Sequence, residues 1–228
     1  MVVSLQRAHI ASSGHVDDLV AVVKQPDTGS PEPISLSLGA GQVAGLSGPP
    51  GSGLTTTGLT LLAPHAAMGP IAYVDVRGWA NPAVAWEIGI APERFVVVRN
   101  SDVVTWGRVV AALLSGTRGV YAEVPRGVRD EVLRKLAAKA RTQRTPIVLR
   151  PVDGAVPSGI ATLRLDARAV EWEGTDAGHG RLGTRRMVLE VSGKSVRGMR
   201  RMIEMEGHGT DDLRVVSHVG VASSRRLA

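Results

Sequence analysis

The chain has 228 residues, a length that fits one α/β domain with short extensions. Hydrophobic residues make up 43% of it and aromatic residues 3%, so a core of Val, Leu, Ile and Ala is expected. The net charge of +6 favours acidic partners such as nucleic acid, although an Arg- and Ala-rich composition produces the same charge without such a partner.

The lack of Cys excludes disulfides, thiol nucleophiles and Cys-ligated zinc, and suits a reducing compartment. No apolar run approaches the ~20 residues of a membrane span, and the first residues do not have the pattern of a signal peptide. The composition therefore predicts a cytoplasmic protein without membrane contact.

Three parts are expected along the chain. Residues 1–33 are an N-terminal extension and linker, with a short helix around residues 16–23, and residues 34–206 are the folded core. Residues 207–228 are a C-terminal tail that is mobile or binds a partner. Within the tail, the apolar residues 213–221 either add a strand or short helix to a partner or pack on the chain's own sheet.

Short aliphatic strands alternate with amphipathic helices in the core. Strands are predicted at residues 42–47, 71–76, 95–99, 119–124 and 147–150, and helices at residues 54–67, 81–88, 103–115 and 130–142. Three later segments alternate like antiparallel strands, at residues 161–173, 186–192 and 199–206. This order predicts an α/β fold with a mostly parallel, doubly wound sheet that is extended by antiparallel C-terminal strands.

A Gly-rich loop between the first strand and the first helix matches the phosphate-binding pattern GxxxxGK[ST] at all but one defined position. Its residues are Gly48, Pro49, Pro50, Gly51, Ser52, Gly53, Leu54 and Thr55. In a working site the Lys neutralises phosphate charge and the Ser or Thr hydroxyl ligates Mg²⁺. Leu54 replaces the Lys here, while Thr55 remains as a candidate metal ligand. Alone, the pattern also fits a plain Gly-rich strand–helix turn.

The surrounding sequence resembles the RecA recombinase family. Residues 42–57 resemble its nucleotide-binding strand, loop and helix, and the resemblance continues over roughly residues 34–206. It implies a RecA-like P-loop core. It also implies that Asp75 is retained from the second strand of the family.

Three further positions depart from that family. Arg77 stands where the family has the Glu that polarises the attacking water, and Glu123 replaces the Asp that contacts Mg²⁺ through water. Arg150 replaces the polar γ-phosphate sensor. Because a nucleotidase needs a phosphate-neutralising cation, a metal and a group that orients water, these changes imply a vestigial nucleotide site with no catalytic residues, no cofactor and no metal. The alternative is a residual nucleotide switch in which Arg77 compensates for the missing Lys.

Among small RecA-like proteins without catalytic residues, the chain most resembles the ImuA and ImuA′ group of bacterial mutagenesis cassettes. That resemblance implies a non-catalytic component of a DNA-damage-induced (SOS) mutasome that docks the pseudo-polymerase adaptor ImuB. Through ImuB it would act indirectly with an error-prone replicative polymerase and the sliding clamp in translesion synthesis. A SulA-like inhibitor of cell division is the alternative from another class.

Candidate contacts with DNA or a partner are the basic residues near the C-terminus: Lys194, Arg197, Arg200, Arg201, Arg225 and Arg226. A solvated basic face is the alternative. The four Trp residues are interpreted as core or interface anchors rather than base-stacking platforms; they are Trp79, Trp86, Trp106 and Trp172. The six His residues are scattered, which does not favour a metal site.

Overall fold

A computed structural model describes residues 37–173, 184–196, 200–208 and 211–219. The helix predicted around residues 16–23, the N-terminal linker and the loop at residues 174–183 lie outside these residues. Of the basic candidates, Arg197, Arg225 and Arg226 also lie outside them.

Nine strands of the described residues form one sheet in the order β3-β2-β4-β5-β1-β6-β7-β8-β9. Their bounds are β1 Val43–Ser47, β2 Ile71–Asp75, β3 Phe95–Arg99, β4 Gly119–Val124, β5 Ile147–Pro151, β6 Leu163–Trp172, β7 Thr184–Ser192, β8 Arg201–His208 and β9 Asp211–Val219. Strands β1 to β6 pair in parallel, whereas β6 to β9 pair in antiparallel fashion. The predicted α/β class and its antiparallel extension are confirmed. The apolar stretch in the tail lies largely within β9, which extends the chain's own sheet.

Helices cover both faces of the parallel part of the sheet, and each face has its own cluster of buried apolar residues. Four α-helices are described, α1 Leu54–Leu62, α2 Ala83–Glu87, α3 Val103–Gly116 and α4 Asp130–Gln143. Buried residues of α1 and α2 share one cluster with Leu46, Tyr73 and Tyr121, whereas those of α3 and α4 share the other with Val74 and Ala122. In the described part of the chain, no helix has the length and apolarity needed to cross a bilayer.

Helix α3 begins at a side-chain cap. The Asp102 carboxylate accepts hydrogen bonds from the backbone N–H groups of Val104 at 3.0 Å and Thr105 at 3.2 Å. The Thr105 hydroxyl also donates to this carboxylate, and these bonds lower the pKa of Asp102. Such a cap satisfies helix donors that otherwise lack partners.

The first helix is shorter than predicted. The pattern indicated a helix over residues 54–67, but α1 ends at Leu62 and continues as a 3₁₀ segment over Ala63–Met68. Pro64 accounts for the change, because proline has no N–H to donate to the carbonyl four residues earlier and its ring clashes with that carbonyl.

Close packing fixes α1 against the sheet at one glycine. A Cβ added to Gly58 would overlap the ring of Tyr121 and lie 2.8 Å from Leu46 Cδ1. Both neighbours are completely buried, so neither has room to move aside. The absence of a side chain at Gly58 therefore sets how near α1 approaches β1 and β4.

We predict that Gly58→Ala lowers the free energy of unfolding by about 1–3 kcal/mol, the usual cost of overpacking a core. Gly116→Ala is the matched control, because this glycine also lies in a helix but an added Cβ there meets nothing within 4 Å. Urea denaturation of the two variants measures the difference. Equal stability of the two would contradict the packing assigned to α1.

Candidate functional site

The Gly-rich loop lies between β1 and α1, in the strand–loop–helix context that the sequence predicts. Gly51 has a φ of 80° and Gly53 a φ of 67°, in the left-handed region that favours glycine. Ser52 is completely buried, and its hydroxyl donates to the carbonyl oxygen of Pro49 at 2.6 Å. The hydrogen bond of Ser52 therefore closes the loop, which leads directly into α1.

Leu54 packs into the protein interior. Its relative exposure is 1%, and it belongs to the apolar cluster that also contains Leu46, Leu165 and Met187. The position that carries the Lys in the phosphate-binding pattern is therefore occupied here by a buried apolar side chain. A cationic side chain there would begin in an apolar environment that disfavours charge.

Thr55, the candidate metal ligand, is bonded to an arginine. Its hydroxyl oxygen accepts a hydrogen bond from Arg150 Nη1 at 2.9 Å. Arg150 comes from the end of β5 and is only 8% exposed. Because a guanidinium repels a divalent cation, this contact disfavours Mg²⁺ at Thr55.

Glu123 is completely buried near the end of β4, and both of its carboxylate oxygens accept hydrogen bonds. Oε2 accepts from the backbone N–H groups of Val76 at 3.0 Å and Arg77 at 3.1 Å. Oε1 accepts from the Tyr73 hydroxyl at 3.1 Å and Arg77 Nε at 2.9 Å, and forms an ion pair with Arg77 Nη2. Five donors fill the acceptor capacity of one carboxylate, so little remains for a metal-bound water.

Arg77 is held by Glu123 and covered by an aromatic ring. Its side chain is 19% exposed, and its guanidinium carbon lies 4.9 Å from the centroid of the Trp79 ring. The charge of Arg77 is therefore balanced within the protein. This balance weakens the alternative in which Arg77 replaces the missing Lys as a cation for phosphate.

Asp75 organises the turn that follows β2. Its Oδ1 accepts from the backbone N–H groups of Gly78 at 2.8 Å and Trp79 at 3.1 Å, and its Oδ2 accepts from that of Ala80 at 3.2 Å. Arg99 Nε lies 3.6 Å from the same Oδ2. This buried carboxylate shapes the turn that presents Arg77 and Trp79 to the site.

Two tyrosines form the floor of the site. The rings of Tyr73 and Tyr121 stack with centroids 4.7 Å apart and planes 7° from parallel. Burial raises the pKa of Tyr73, and the neighbouring Tyr121 and Glu123 raise it further. Burial also raises the pKa of Tyr121. Tyr73 thus remains a protonated donor to Glu123, a role that the sequence reasoning missed although Tyr73 lies two places before Asp75 on the same strand.

The remaining pocket is small. It has a volume of about 170 Å³ and is lined by Pro50, Gly51, Thr55, Tyr73, Arg77, Trp79 and Arg150. Sites for small molecules usually measure about 300–1,000 Å³. Sequence reasoning named most of these residues separately, and the fold brings them to one place.

A third guanidinium lies against the loop from a distant strand. Arg185 of β7 is so close to Gly53 that a Cβ added there would be 2.5 Å from its guanidinium carbon. The same guanidinium lies 5.4 Å from the centroid of the Trp172 ring, and burial lowers its pKa. Its Nε has no hydrogen-bond partner among the described residues. No sequence signal pointed to Arg185, because β7 reaches the loop only in the folded chain.

The basic C-terminal candidates are distributed over a mixed surface. Lys194 is exposed in a 3₁₀ turn, Arg200 is exposed with Nη1 3.3 Å from Glu190 Oε1, and Arg201 is half-buried at the start of β8. Arg168 also pairs with Glu190, at 2.7 Å. Carboxylates therefore offset part of the positive charge expected there.

The four Trp residues divide between core and surface. Trp106 is completely buried and donates its ring N–H to the Glu123 carbonyl oxygen at 2.8 Å, as expected of a core anchor. Trp172 is half-buried beside Arg185, whereas Trp79 and Trp86 are 69% and 51% exposed. In the part of the chain that the structure describes, no three His, Cys, Asp or Glu side chains are grouped as metal ligands.

Residues 36–157 match the family model of the MT3502 N-terminal domain. The match covers just over half of the 228-residue chain and includes β1 to β5 with the Gly-rich loop. A search of curated proteins gives no match. The matched region supplies every residue of the pocket, whereas Arg185 lies beyond it.

We predict that Glu123→Gln lowers the free energy of unfolding by about 3 kcal/mol, because it leaves the guanidinium of Arg77 without its buried counter-charge. Glu131→Gln is the control, since Glu131 forms an exposed pair with Lys135 on α4 and its loss is expected to leave stability unchanged. Thermal or urea denaturation gives both values. A Glu123→Gln protein as stable as the control would show that the pair does not hold the site together.

Proposed function

The chain belongs to the family of the MT3502 N-terminal domain, and we propose that it is a catalytically inactive RecA-like protein of the ImuA′ type. In this role it docks the adaptor ImuB in a DNA-damage-induced mutasome. Through ImuB it supports an error-prone replicative polymerase at the sliding clamp during translesion synthesis.

The placement of the pocket residues supports a RecA-like core. The loop follows β1 and begins α1, while Asp75, Glu123 and Arg150 come from the ends of β2, β4 and β5. In an open parallel sheet, the carboxyl ends of the strands are where ligand sites form. The positions that the resemblance assigns to nucleotide chemistry thus meet at one edge of one sheet.

The internal bonding of this pocket is the observation that carries the proposal of inactivity. Glu123 binds Arg77 and two backbone amides, and the Thr55 hydroxyl binds Arg150. Phosphoryl transfer needs a cation at the phosphates, a metal and a group that orients water. Since the side chains at these positions are buried or bonded to one another, they support a structural role for the pocket rather than a catalytic one.

Exposed apolar side chains on and around edge strand β3 support docking. Five large apolar side chains between residues 79 and 104 are exposed: Trp79 by 69%, Trp86 by 51%, Val96 by 42%, Val103 by 42% and Val104 by 81%. They belong to edge strand β3, to the turn after β2, and to α2 and α3, which cover opposite faces of the sheet; we call this set the β3 surface. Exposed tryptophans are frequent energetic centres of protein interfaces. Among the described strands, β3 pairs on one side only, so an added strand from a partner would fit its other side.

A residual nucleotide switch is the second candidate function, and the environment of Arg150 favours it. This buried guanidinium lines the pocket and has no carboxylate within 4 Å among the described residues. An anionic phosphate would supply that counter-charge. Hydrolysis would still lack a group that orients water.

For the inactive protein we predict that millimolar ATP with Mg²⁺ does not raise the melting temperature. We also predict that Leu54→Lys has no turnover and melts lower than Leu54→Met, because the Lys side chain starts inside the apolar cluster. Thermal-shift and phosphate-release assays measure these results. Turnover by the Lys variant would contradict inactivity, and an ATP-dependent rise that Arg150→Gln abolishes would support the nucleotide switch.

For docking we predict that the double variant Trp86→Ala/Val104→Ser weakens the ImuB complex at least tenfold, or about 1.4 kcal/mol. Both side chains are exposed, so the folded chain loses little stability. Met68→Ser is the control, because Met68 is 63% exposed in the 3₁₀ segment outside the β3 surface. Co-purification and interferometry with purified ImuB measure the effect. No complex with the wild-type chain would refute the proposed partner, and an unaffected double variant would refute the β3 surface.

A further inference from the structure

Arginines precede two strands at the amino edge of the sheet, opposite the pocket. Phe95 of β3 and Gly119 of β4 both pair with Ile71 of β2. Arg94 and Arg118, each one residue earlier, therefore lie at the same level of the edge. The stem of Arg118 also lies over the amino end of β2, because a Cβ added to Gly69 would be 2.8 Å from Arg118 Cγ.

Helix α4 ends at the same edge and adds two more arginines. Val120 pairs with Ile147, so Arg144, which follows α4 and precedes β5, lies within about one residue of the level of Arg118. Arg141, in the last turn of α4, lies beside the loop before β1, since a Cβ added to Gly41 would be 3.0 Å from its Cα. The row follows the amino ends of β3, β4, β5 and β1.

The spacing of strands sets the length of this row. Because β3-β2-β4-β5-β1 are consecutive neighbours, their amino ends span four intervals of ~4.8 Å, or about 19 Å. A nucleic-acid strand carries one phosphate charge per nucleotide, so a row of this length faces several phosphates. A linear row of cations of this length suits a linear polyanion.

The four guanidiniums are exposed, and none has a carboxylate within 4 Å among the described residues. At the pocket edge only Arg150 is in the same situation, whereas Arg77, Arg99 and Arg126 each lie within 4 Å of a carboxylate among the described residues. The positive charge at the amino edge is thus less compensated than that beside the pocket.

We propose that Arg94, Arg118, Arg141 and Arg144 form a binding site for the phosphate backbone of single-stranded nucleic acid. A guanidinium group forms bidentate hydrogen bonds with phosphate, so the four arginines bind phosphate more favourably than a hydrated counter-ion. The site lies on the edge of the sheet opposite the Gly-rich loop, so binding leaves the pocket accessible. It rests on the arginine row and does not depend on the identity of the docking partner.

The test compares two quadruple variants of the full chain with the same loss of charge. The edge variant carries Arg94→Gln, Arg118→Gln, Arg141→Gln and Arg144→Gln, which keep most of each aliphatic stem. The control variant carries Arg126→Gln, Arg134→Gln, Lys135→Gln and Arg168→Gln, all exposed residues in ion pairs elsewhere. Fluorescence anisotropy with a labelled mixed-sequence single-stranded oligonucleotide gives the affinity of each protein between about 50 and 200 mM salt.

The wild-type chain is expected to bind with a slope of log K against log salt of about −2.8 if all four arginines contact phosphates. The edge variant is expected to lose roughly tenfold or more in affinity with a shallower slope, while the control variant keeps the wild-type slope. Equal losses in both variants would overturn the site, as would no binding by the wild-type chain at low salt. Edge-dependent binding of labelled polyglutamate without oligonucleotide binding would also overturn it, in favour of an acidic protein. Retention of ImuB by the edge variant would separate this inference from the proposed docking function.

Discussion

The buried carboxylate of Glu123 is the constraint on which the site depends. A charge that is completely removed from water must be paired and hydrogen-bonded, and Glu123 meets this need with groups from β2 and the turn that follows it. The pairing closes the turn over the end of β4 and fixes Arg77 beneath the Trp79 ring. Glu123 thus links the end of β4 to β2 and the turn that follows it.

The three arginines around the Gly-rich loop are each stabilised by a different kind of contact. Arg77 is neutralised by Glu123, Arg150 donates to the Thr55 hydroxyl, and Arg185 stacks beside Trp172 against Gly53. Only the first of these contacts balances charge with charge. The other two rely on a hydroxyl dipole and an aromatic ring, which interact more weakly with a cation than a carboxylate does. This uneven balance is why a nucleotide switch stands as the second candidate function.

Side chains along a strand alternate between the two faces of the sheet, and this alternation explains how the site assembles. Tyr73 and Asp75 are two places apart on β2, and Tyr121 and Glu123 are two places apart on β4, so each pair lies on one face of the sheet. That face is the one covered by α1, where the Gly-rich loop also lies. Alternation could therefore have predicted from the sequence that Tyr73 accompanies Glu123. It could not have predicted Arg185, which reaches the loop through pairing of β6 with β7.

The sequence by itself determined the class of fold and the strand segments, because these depend on local periodicity and residue type. It also contained the reason for the early end of α1, in the missing N–H of Pro64. The tertiary structure alone decided that Leu54 turns into the core, that Arg150 reaches Thr55, and that four arginines separated along the chain share the amino edge of the sheet. These features depend on strand order and register, which arise from contacts between residues distant in sequence.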